Sequence, residues 1–414
     1  MSARFDVIVA GAGPAGGASA AYLARAGHRV LVLEKDHFPR FHIGESLLPA
    51  STPILKELGV EMRDDVFLFK RGAQFVCERT GRLQAFSFQE AMPGPPRSAF
   101  QVERAGFDAA ILDRARLYGA DVRHGVRVES VEIDDDEVRV KTSEGLERAR
   151  YFIDATGQDR FLARKQRTVK PYRHFGRAAV FTHFVDVTDE GWALVGEGND
   201  IRIMMVDDGW AWVIPLAGQR LSIGRVLRGQ GISKELLDDY LASSPLISKM
   251  IAGAKRLETR ILGNYSFKNA APSGKRYACV GDSSCFIDPV FSSGVTLALT
   301  SAKEATTLLT KALEDGREAD PDLMKPIHEA TALGYETFAA LVHRFYNTKI
   351  VDNLIFGAPA DGELRPSVVS VLGGDVFRPD NPFRDMLLNS RATPWRDEEK
   401  ADVASEEAML EKVQ

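Results

Sequence analysis

Phe5-Asp-Val-Ile-Val-Ala10, followed at once by Gly11-Ala-Gly13-Pro-Ala-Gly16-Gly17, is the stretch whose reading decides the fold. Its first six residues make a short apolar run of the kind buried in a parallel sheet. A helical pattern then passes through Tyr22, Leu23 and Ala26 and stops at Gly27, a residue type that ends helices. A second apolar run, Arg29-Val-Leu-Val-Leu33, ends at Glu34. In such a strand–turn–helix–strand unit Gly11 permits the tight turn, Gly13 lets backbone approach a pyrophosphate, and Gly16 brings helix against strand. Pro14 and Ala15 open the helix, whose positive N-terminus faces the phosphates. Glu34 follows Gly16 by 18 residues, near the place where an acid accepts hydrogen bonds from a ribose diol. A glycine fingerprint alone is also an ordinary glycine-rich turn. Here strand, helix, strand and acid all fall at the expected spacing, which predicts dinucleotide binding without separating NAD from FAD.

At 414 residues the chain is longer than one core usually serves, so two intimately packed domains are expected. Its 44% hydrophobic and 27% charged shares are those of a globular protein. A net charge of −5 offers no electrostatic case for nucleic acid or an anionic membrane as partner. Cys77, Cys279 and Cys285 are too scattered for a disulfide framework or a zinc site, so no metal is expected and a reducing cytoplasm suits them. Met1-Ser-Ala-Arg runs straight into the first strand without an export-signal pattern. No apolar run approaches the roughly 20 residues that span a bilayer. The tail after Pro394, rich in Asp, Glu and Lys, reads as a solvated, frayed helix.

Beyond Glu34 the chain stops alternating simply. Lys35-Asp-His-Phe-Pro-Arg40-Phe-His42-Ile-Gly44-Glu45-Ser46 brings basic and polar groups, Lys35, Arg40 and Ser46 among them, toward the cofactor. Arg104 precedes a helix with Phe107, Ile111 and Leu112 on one face, and Val126 leads into alternating strands through Val131, Val138 and Val140. Tyr151-Phe-Ile-Asp154-Ala-Thr-Gly157 is an apolar strand ending in a turn beside the nucleotide site, and Tyr277-Ala-Cys-Val-Gly281-Asp282 repeats that logic. A carboxylate at Asp282 is placed to accept from flavin ribityl hydroxyls. A helix starting near Ser292 aims its N-terminus at the flavin ring, which suits an anionic reduced flavin. This layout resembles the FAD-dependent aromatic hydroxylase superfamily. It implies an α/β fold: a Rossmann-like (GR2-type) FAD-binding domain, an interleaved β-sheet substrate domain and a C-terminal helical segment. The expected divisions are 1–75 with 100–165 and 270–320 for FAD, 76–99 and 166–269 for substrate, and 321–414 for the helical region and its charged tail.

Two further stretches narrow the resemblance. Phe286-Ile-Asp-Pro289-Val-Phe-Ser292-Ser-Gly294 and Trp210-Ala-Trp212-Val-Ile-Pro215 resemble the F-x-x-P-x-x-S-x-G and W-x-W-x-I-P signatures of flavin-dependent halogenases. The likeness runs from Phe5 to about Phe377 and is greatest to the compact group acting on pyrrolyl and phenolic rings. It implies that reduced FAD reacts with oxygen to a flavin hydroperoxide, that a halide turns this into hypohalous acid, and that a lysine delivers the halogen to an electron-rich ring. By the Gly-Ala that follows it, the matching lysine is Lys70 in Phe69-Lys70-Arg71-Gly72-Ala73. Lys70 follows the apolar Val66, Phe67, Leu68 and Phe69. Burial there would lower its pKa and raise its nucleophilicity, whereas the plainer alternative is a surface lysine on a strand edge. Arg71 is the risk of misregister by one residue.

The same resemblance implies that backbone N–H groups at Ser293 and Gly294 hold chloride or bromide, with Pro289 and Gly294 beside the cofactor. Trp210 and Trp212 share one face of a strand and in the family keep substrate from the flavin. Their spacing fits two core aromatics equally well. Glu45 belongs to the flavin-side turn and is not expected to act as a proton acceptor near substrate, and His174, His183 and His343 read as structural. A monooxygenase, a reductase of isoprenoid double bonds and a non-catalytic flavoprotein are the competing readings. Lys70 argues against the first two, and the intact glycine fingerprint with Gly281-Asp282 against the third. No second glycine-rich nucleotide unit is visible, which agrees with a separate flavin reductase supplying FADH2. The substrate is expected to be a small aromatic, free or tethered to a carrier protein.

Overall fold

The strand Phe5–Ala10 pairs in parallel with Val30–Glu34 on one side and with Gly145–Asp154 on the other, and the helix Pro14–Arg25 closes the first crossover. Residues 7–10, 30–34 and 151–154 of these strands are buried, which is why they read as continuous apolar runs rather than as an alternation. The computed structural model describes residues 5–94, 96–172, 175, 178–227, 231–263, 265–357 and 362–389; His174 and the tail after Pro394 lie outside them.

Two large sheets organise the described residues. The first has eight strands, and its main path runs Ser273–Gly274, Tyr277–Cys279, Gly145–Asp154, Phe5–Ala10, Val30–Glu34, Asp121–His124. Tyr277–Cys279 lies parallel to Gly145–Asp154, with Ile153 opposite Ala278. The turns at Gly11, Asp154-Ala-Thr-Gly157 and Gly281-Asp282 therefore leave the same edge of the sheet, the C-terminal ends of parallel strands where ligands bind in such folds. The second eight-stranded sheet is mostly antiparallel and is built around Ala178–Val185, Arg220–Leu227, Gly209–Leu216 and Ile201–Val206, with Gly72–Cys77 joining Ile201–Val206 in parallel.

Gly209–Leu216 is buried on both faces. Trp210, Trp212 and Ile214 join the core shared with the first sheet. Ala211 and Val213 face the second core, under the helices Glu235–Ser243 and Pro245–Met250. The long helices Gly294–Asp315 and Lys325–Asn347 pack on one another and complete the larger core. Among the described residues no helix is long and apolar enough to cross a membrane.

Candidate active site

A cavity of about 660 Å³ lies between the sheets. Its wall takes Gly11, Gly13, Pro14, Ala15, Glu34, Lys35, Arg40 and Val126 from the nucleotide unit and its flanks, and Ser46, Arg104 and Asp282 from the segments beyond. It also takes Trp210 and Trp212 from the second sheet and Pro289 and Gly294 from the turn that opens the long helix. Gly16, Ser293 and Lys70 do not line it. Gly16 is instead a packing residue: a Cβ there would sit 1.9 Å from the Gly11 carbonyl oxygen. Gly11 has φ +93°, and a side chain on it would meet the Ala155 carbonyl at 2.4 Å. At Gly13 the nearest atom to an added Cβ is Arg40 Nη2, 3.6 Å away, so the protein itself does not demand glycine there.

The polar groups on the wall are held by short-range contacts. Glu34, 4% exposed, accepts the Ala12 N–H at 2.8 Å through one oxygen and the Asp36 N–H at 3.0 Å through the other. Arg40 lies over the Phe38 ring with Asp108 3.3 Å away. Arg104 grips Asp108 with two bonds of 2.7 and 3.0 Å and donates to the Ile43 carbonyl at 2.7 Å. Burial and the Arg104 charge push His42 down to about 4, so its imidazole is neutral. Burial lifts the Asp282 carboxyl to about 6, against the Gln158 amide and Arg104, which pull it down. Four polar atoms of this wall, Arg40 Nη1, Glu45 Oε2, Gln158 Oε1 and the Tyr265 hydroxyl, are buried with no hydrogen-bond partner among the described residues. The first glutamate oxygen is held by His183 at 2.7 Å. Unmet groups beside a cavity are what a hydrogen-bonding ligand satisfies. Together with the open space above Gly13 they fit a flavin dinucleotide.

Lys70 lies behind this wall, on the strand Leu68–Lys70 paired with Ala99–Gln101. Strand alternation turns Phe69 outward, 37% exposed, and Lys70 inward, 1% exposed; Arg71 is exposed. Gly72 follows because a Cβ there would strike the Phe86 carbonyl at 2.1 Å. The amine donates to Ser46 Oγ at 2.8 Å and to the Leu47 carbonyl at 2.9 Å, and the Phe88 ring lies 5.2 Å from it. Burial among neutral acceptors drives its pKa down to about 7, with Asp200 opposing. Ser46 thus has the cavity on one side and the Lys70 amine on the other.

The turn Pro289–Phe291 is capped by Asp288, whose Oδ1 accepts the Val290 N–H at 3.0 Å. Ser292 follows with φ +55°, and Gly294 starts the long helix. A small void of about 10 Å³ adjoins it, lined by Ser293, Gly294, Asp282, Phe286 and Tyr335 among others. Trp210 and Trp212 sit 5.8 Å apart between ring centroids. Trp212 occupies a slot made by Gly224 on the neighbouring strand, where a Cβ would come within 2.3 Å of the indole. Sequence reasoning passed over Gly224, Gln158 and the pairing of His183 with Glu45. Gln158 directly follows Gly157, which was the available signal; Gly224 and His183 had none, since their roles come from cross-strand and cross-sheet neighbours.

A family model described as tryptophan halogenase matches residues 6–96 and 89–357. A flavin-dependent halogenase of Armillaria mellea is 30% identical over 347 residues, covering 74% of this chain and 68% of that protein. The 1H-pyrrole-2-carbonyl-peptidyl-carrier-protein chlorinase of Pseudomonas fluorescens is 27% identical over 410 residues, 90% of each chain. Among solved structures, a flavoprotein/dehydrogenase of Cytophaga hutchinsonii superposes with a TM-score of 0.84 at 28% identity, covering 92% of this chain and 96% of its own. With the cofactor cavity and the buried lysine, these matches place the chain in the flavin-dependent halogenase family.

Proposed function

We propose that this halogenase chlorinates or brominates an electron-rich pyrrole or phenol ring carried on a carrier protein, and that Lys70 hands over the halogen. The observation that carries the reading is the buried Lys70 amine, 2.8 Å from a serine on the wall of the flavin cavity. The likeness to a pyrrolyl-carrier-protein chlorinase over 90% of both chains supports the substrate class. The first sheet and its helices form the flavin domain, and the second sheet with the C-terminal helices forms the substrate side.

When bound, reduced FAD supplies the electrons with which oxygen oxidises halide to hypohalous acid. The protein's residues do the rest. The N–H groups after Gly11 take the pyrophosphate at the helix N-terminus, with Gly13, Pro14 and Ala15 shaping its seat and Gly16 packing beneath it. Glu34 accepts from the ribose, Lys35, Arg40 and Val126 border the adenosine side, and Asp282 accepts from the ribityl chain. Ser46 and Arg104 line the space between. The N–H groups of Ser293 and Gly294 form the halide nest, and the start of their helix stabilises negative charge on the ring side. With a pKa of about 7, Lys70 is a free amine in about half of the molecules at neutral pH, where an ordinary lysine is an ammonium with no lone pair. The amine bonds to the halogen of hypohalous acid as the O–halogen bond breaks and water leaves; the N–halogen bond then breaks as the halogen passes to the ring carbon, whose proton returns to the nitrogen.

FADH2 comes from a separate reductase, in a reducing cytoplasm that suits three buried cysteines. Turnover with reduced FAD, bromide and a pyrrolyl-loaded carrier protein, compared with the free pyrrole acid and free phenols, tests the substrate. Bromination of the free rings at the rate of the loaded carrier would remove the carrier from the reading.

A further inference from the structure

The C-terminal end of the helix Lys325–Asn347 ties together two parts of the cavity wall that are far apart in sequence. The Trp210 indole N–H donates to the Tyr346 hydroxyl at 2.8 Å, and that hydroxyl donates to Asp288 Oδ2 at 3.0 Å. The other oxygen of Asp288 caps the turn through Val290 at 3.0 Å. Phe345, next along the helix, meets Phe291 of the same turn edge to face, with ring centroids 5.7 Å apart. Trp210 and Asp288 are 1% and 2% exposed, so the chain of bonds is shielded from competing water, where each bond holds geometry more firmly. Five and six residues after Asp288 come Ser293 and Gly294.

We propose that Tyr346 is a positioning residue for halide: its hydroxyl couples the tryptophan wall to Asp288 and so holds the Ser293 and Gly294 N–H groups in the arrangement that accepts the anion. The inference rests on the halide reading given above. It predicts that the anion site depends on a residue that contributes no group to it. Removing the hydroxyl leaves the Trp210 N–H without this acceptor and Asp288 without this donor, so the turn can shift even though the aromatic packing of Phe345 remains.

The test is a bromide titration of the oxidised FAD-loaded protein, read from the flavin absorbance, so that no turnover is needed. Tyr346→Phe is expected to raise the bromide dissociation constant about threefold to tenfold, the scale of one or two hydrogen bonds, with FAD affinity unchanged. Trp210→Phe cuts the same chain from its other end. The double variant is expected to match Tyr346→Phe alone, as coupled sites do. Gly294→Ala, which alters the proposed nest directly, serves as the reference. If Gly294→Ala weakens bromide while Tyr346→Phe lowers only the melting temperature, the positioning role is overturned and the halide site stands. If Gly294→Ala leaves bromide binding untouched, the halide site itself is wrong and the inference goes with it. Fully additive effects of Trp210→Phe and Tyr346→Phe would also sink it.

Discussion

Glu34 and Lys70 are both ionisable, both almost fully buried, and they are handled in opposite ways. The carboxylate of Glu34 receives two backbone N–H bonds from residues within its own strand–turn–helix unit and its flank, and a cation, Arg40, stands 3.8 Å away. Its charge is supported by the local fold. The Lys70 amine has two neutral acceptors on a segment more than twenty residues away. Among the described residues, the compensating charge acting on it is that of Asp200, which burial outweighs. Glu34 is therefore held by fixed local contacts, whereas burial brings the lysine down to about 7. An amine is a nucleophile only without its extra proton, so the poor accommodation of charge at Lys70 is what the proposed halogen transfer would draw on.

The strongest way to break this contrast is Lys70→Ala. Halogenated product should fall roughly 100-fold or more, the scale of losing a positioned reacting group, while FAD binding and consumption of reduced flavin continue. Lys70→Arg should be no better, because a guanidinium stays protonated. Arg71→Ala should stay near the unsubstituted rate, since Arg71 is exposed. Mass spectrometry of product beside oxygen uptake checks all three, and full activity in Lys70→Ala would remove the residue from the chemistry.

The cofactor side is sharpened by Gly13→Ala. A Cβ there meets no protein atom closer than 3.6 Å, so the apo protein should melt where it did before. FAD should bind at least about tenfold more weakly, since a methyl group intrudes where backbone meets pyrophosphate. Gly16→Ala, whose Cβ would lie 1.9 Å from a carbonyl oxygen, should instead lower the apo melting temperature. Equal stability losses in the two variants would show that Gly13 is a packing residue as well.

The lysine side is sharpened by pH. Lys70 has its pKa lowered from 10.5 to about 7 on folding. Between those values the unfolded chain binds the proton and the folded one does not, so this group makes stability rise with pH across that window. Below about 7 both states are protonated and its full penalty is present. Lys70→Met should flatten that rise in melting temperature from pH 7 to 9. Halogenation under saturating reduced FAD should climb through pH 7 as the amine is freed. A rate that falls across the same range would contradict a free-amine role.

The smallest effect expected is on the cofactor's approach. Arg127, Arg164 and Lys165 line the cavity and are exposed, and among the described residues no carboxylate is paired with any of them. In a chain of net charge −5 they supply local attraction for an anionic dinucleotide. Reversing Arg164 and Lys165 to Glu should slow FAD association severalfold at low salt and converge with the parent at high salt, by stopped-flow fluorescence. An unchanged association rate would mean that steering plays no part.

Much of the nucleotide unit was legible because its causes are local. Gly16 and Glu34 meet backbone inside one strand–turn–helix–strand unit and its flank, and parallel strands buried on both faces announce themselves as apolar runs. The motif Trp210-Ala-Trp212 showed which residues share a face, but its spacing suited a plain core strand equally well. Only the neighbouring strand, through the slot at Gly224, explains how an indole is seated there. Lys70 is the clearest case of a residue whose sequence left two readings open, an edge lysine or a buried amine. Alternation put it opposite to Phe69 without saying which of the two would face inward.

By itself the sequence determined the order of the strands in the nucleotide unit, the place of the cofactor turns and the flavin-halogenase signatures, because each depends on neighbours a few residues away or on motif spacing. The tertiary structure alone decided which way the Leu68–Lys70 strand faces, what accepts the hydrogen bonds of the lysine, and how Trp210 reaches Asp288 through Tyr346. Those outcomes depend on desolvation and on partners brought together from distant parts of the chain, and no local pattern encodes either.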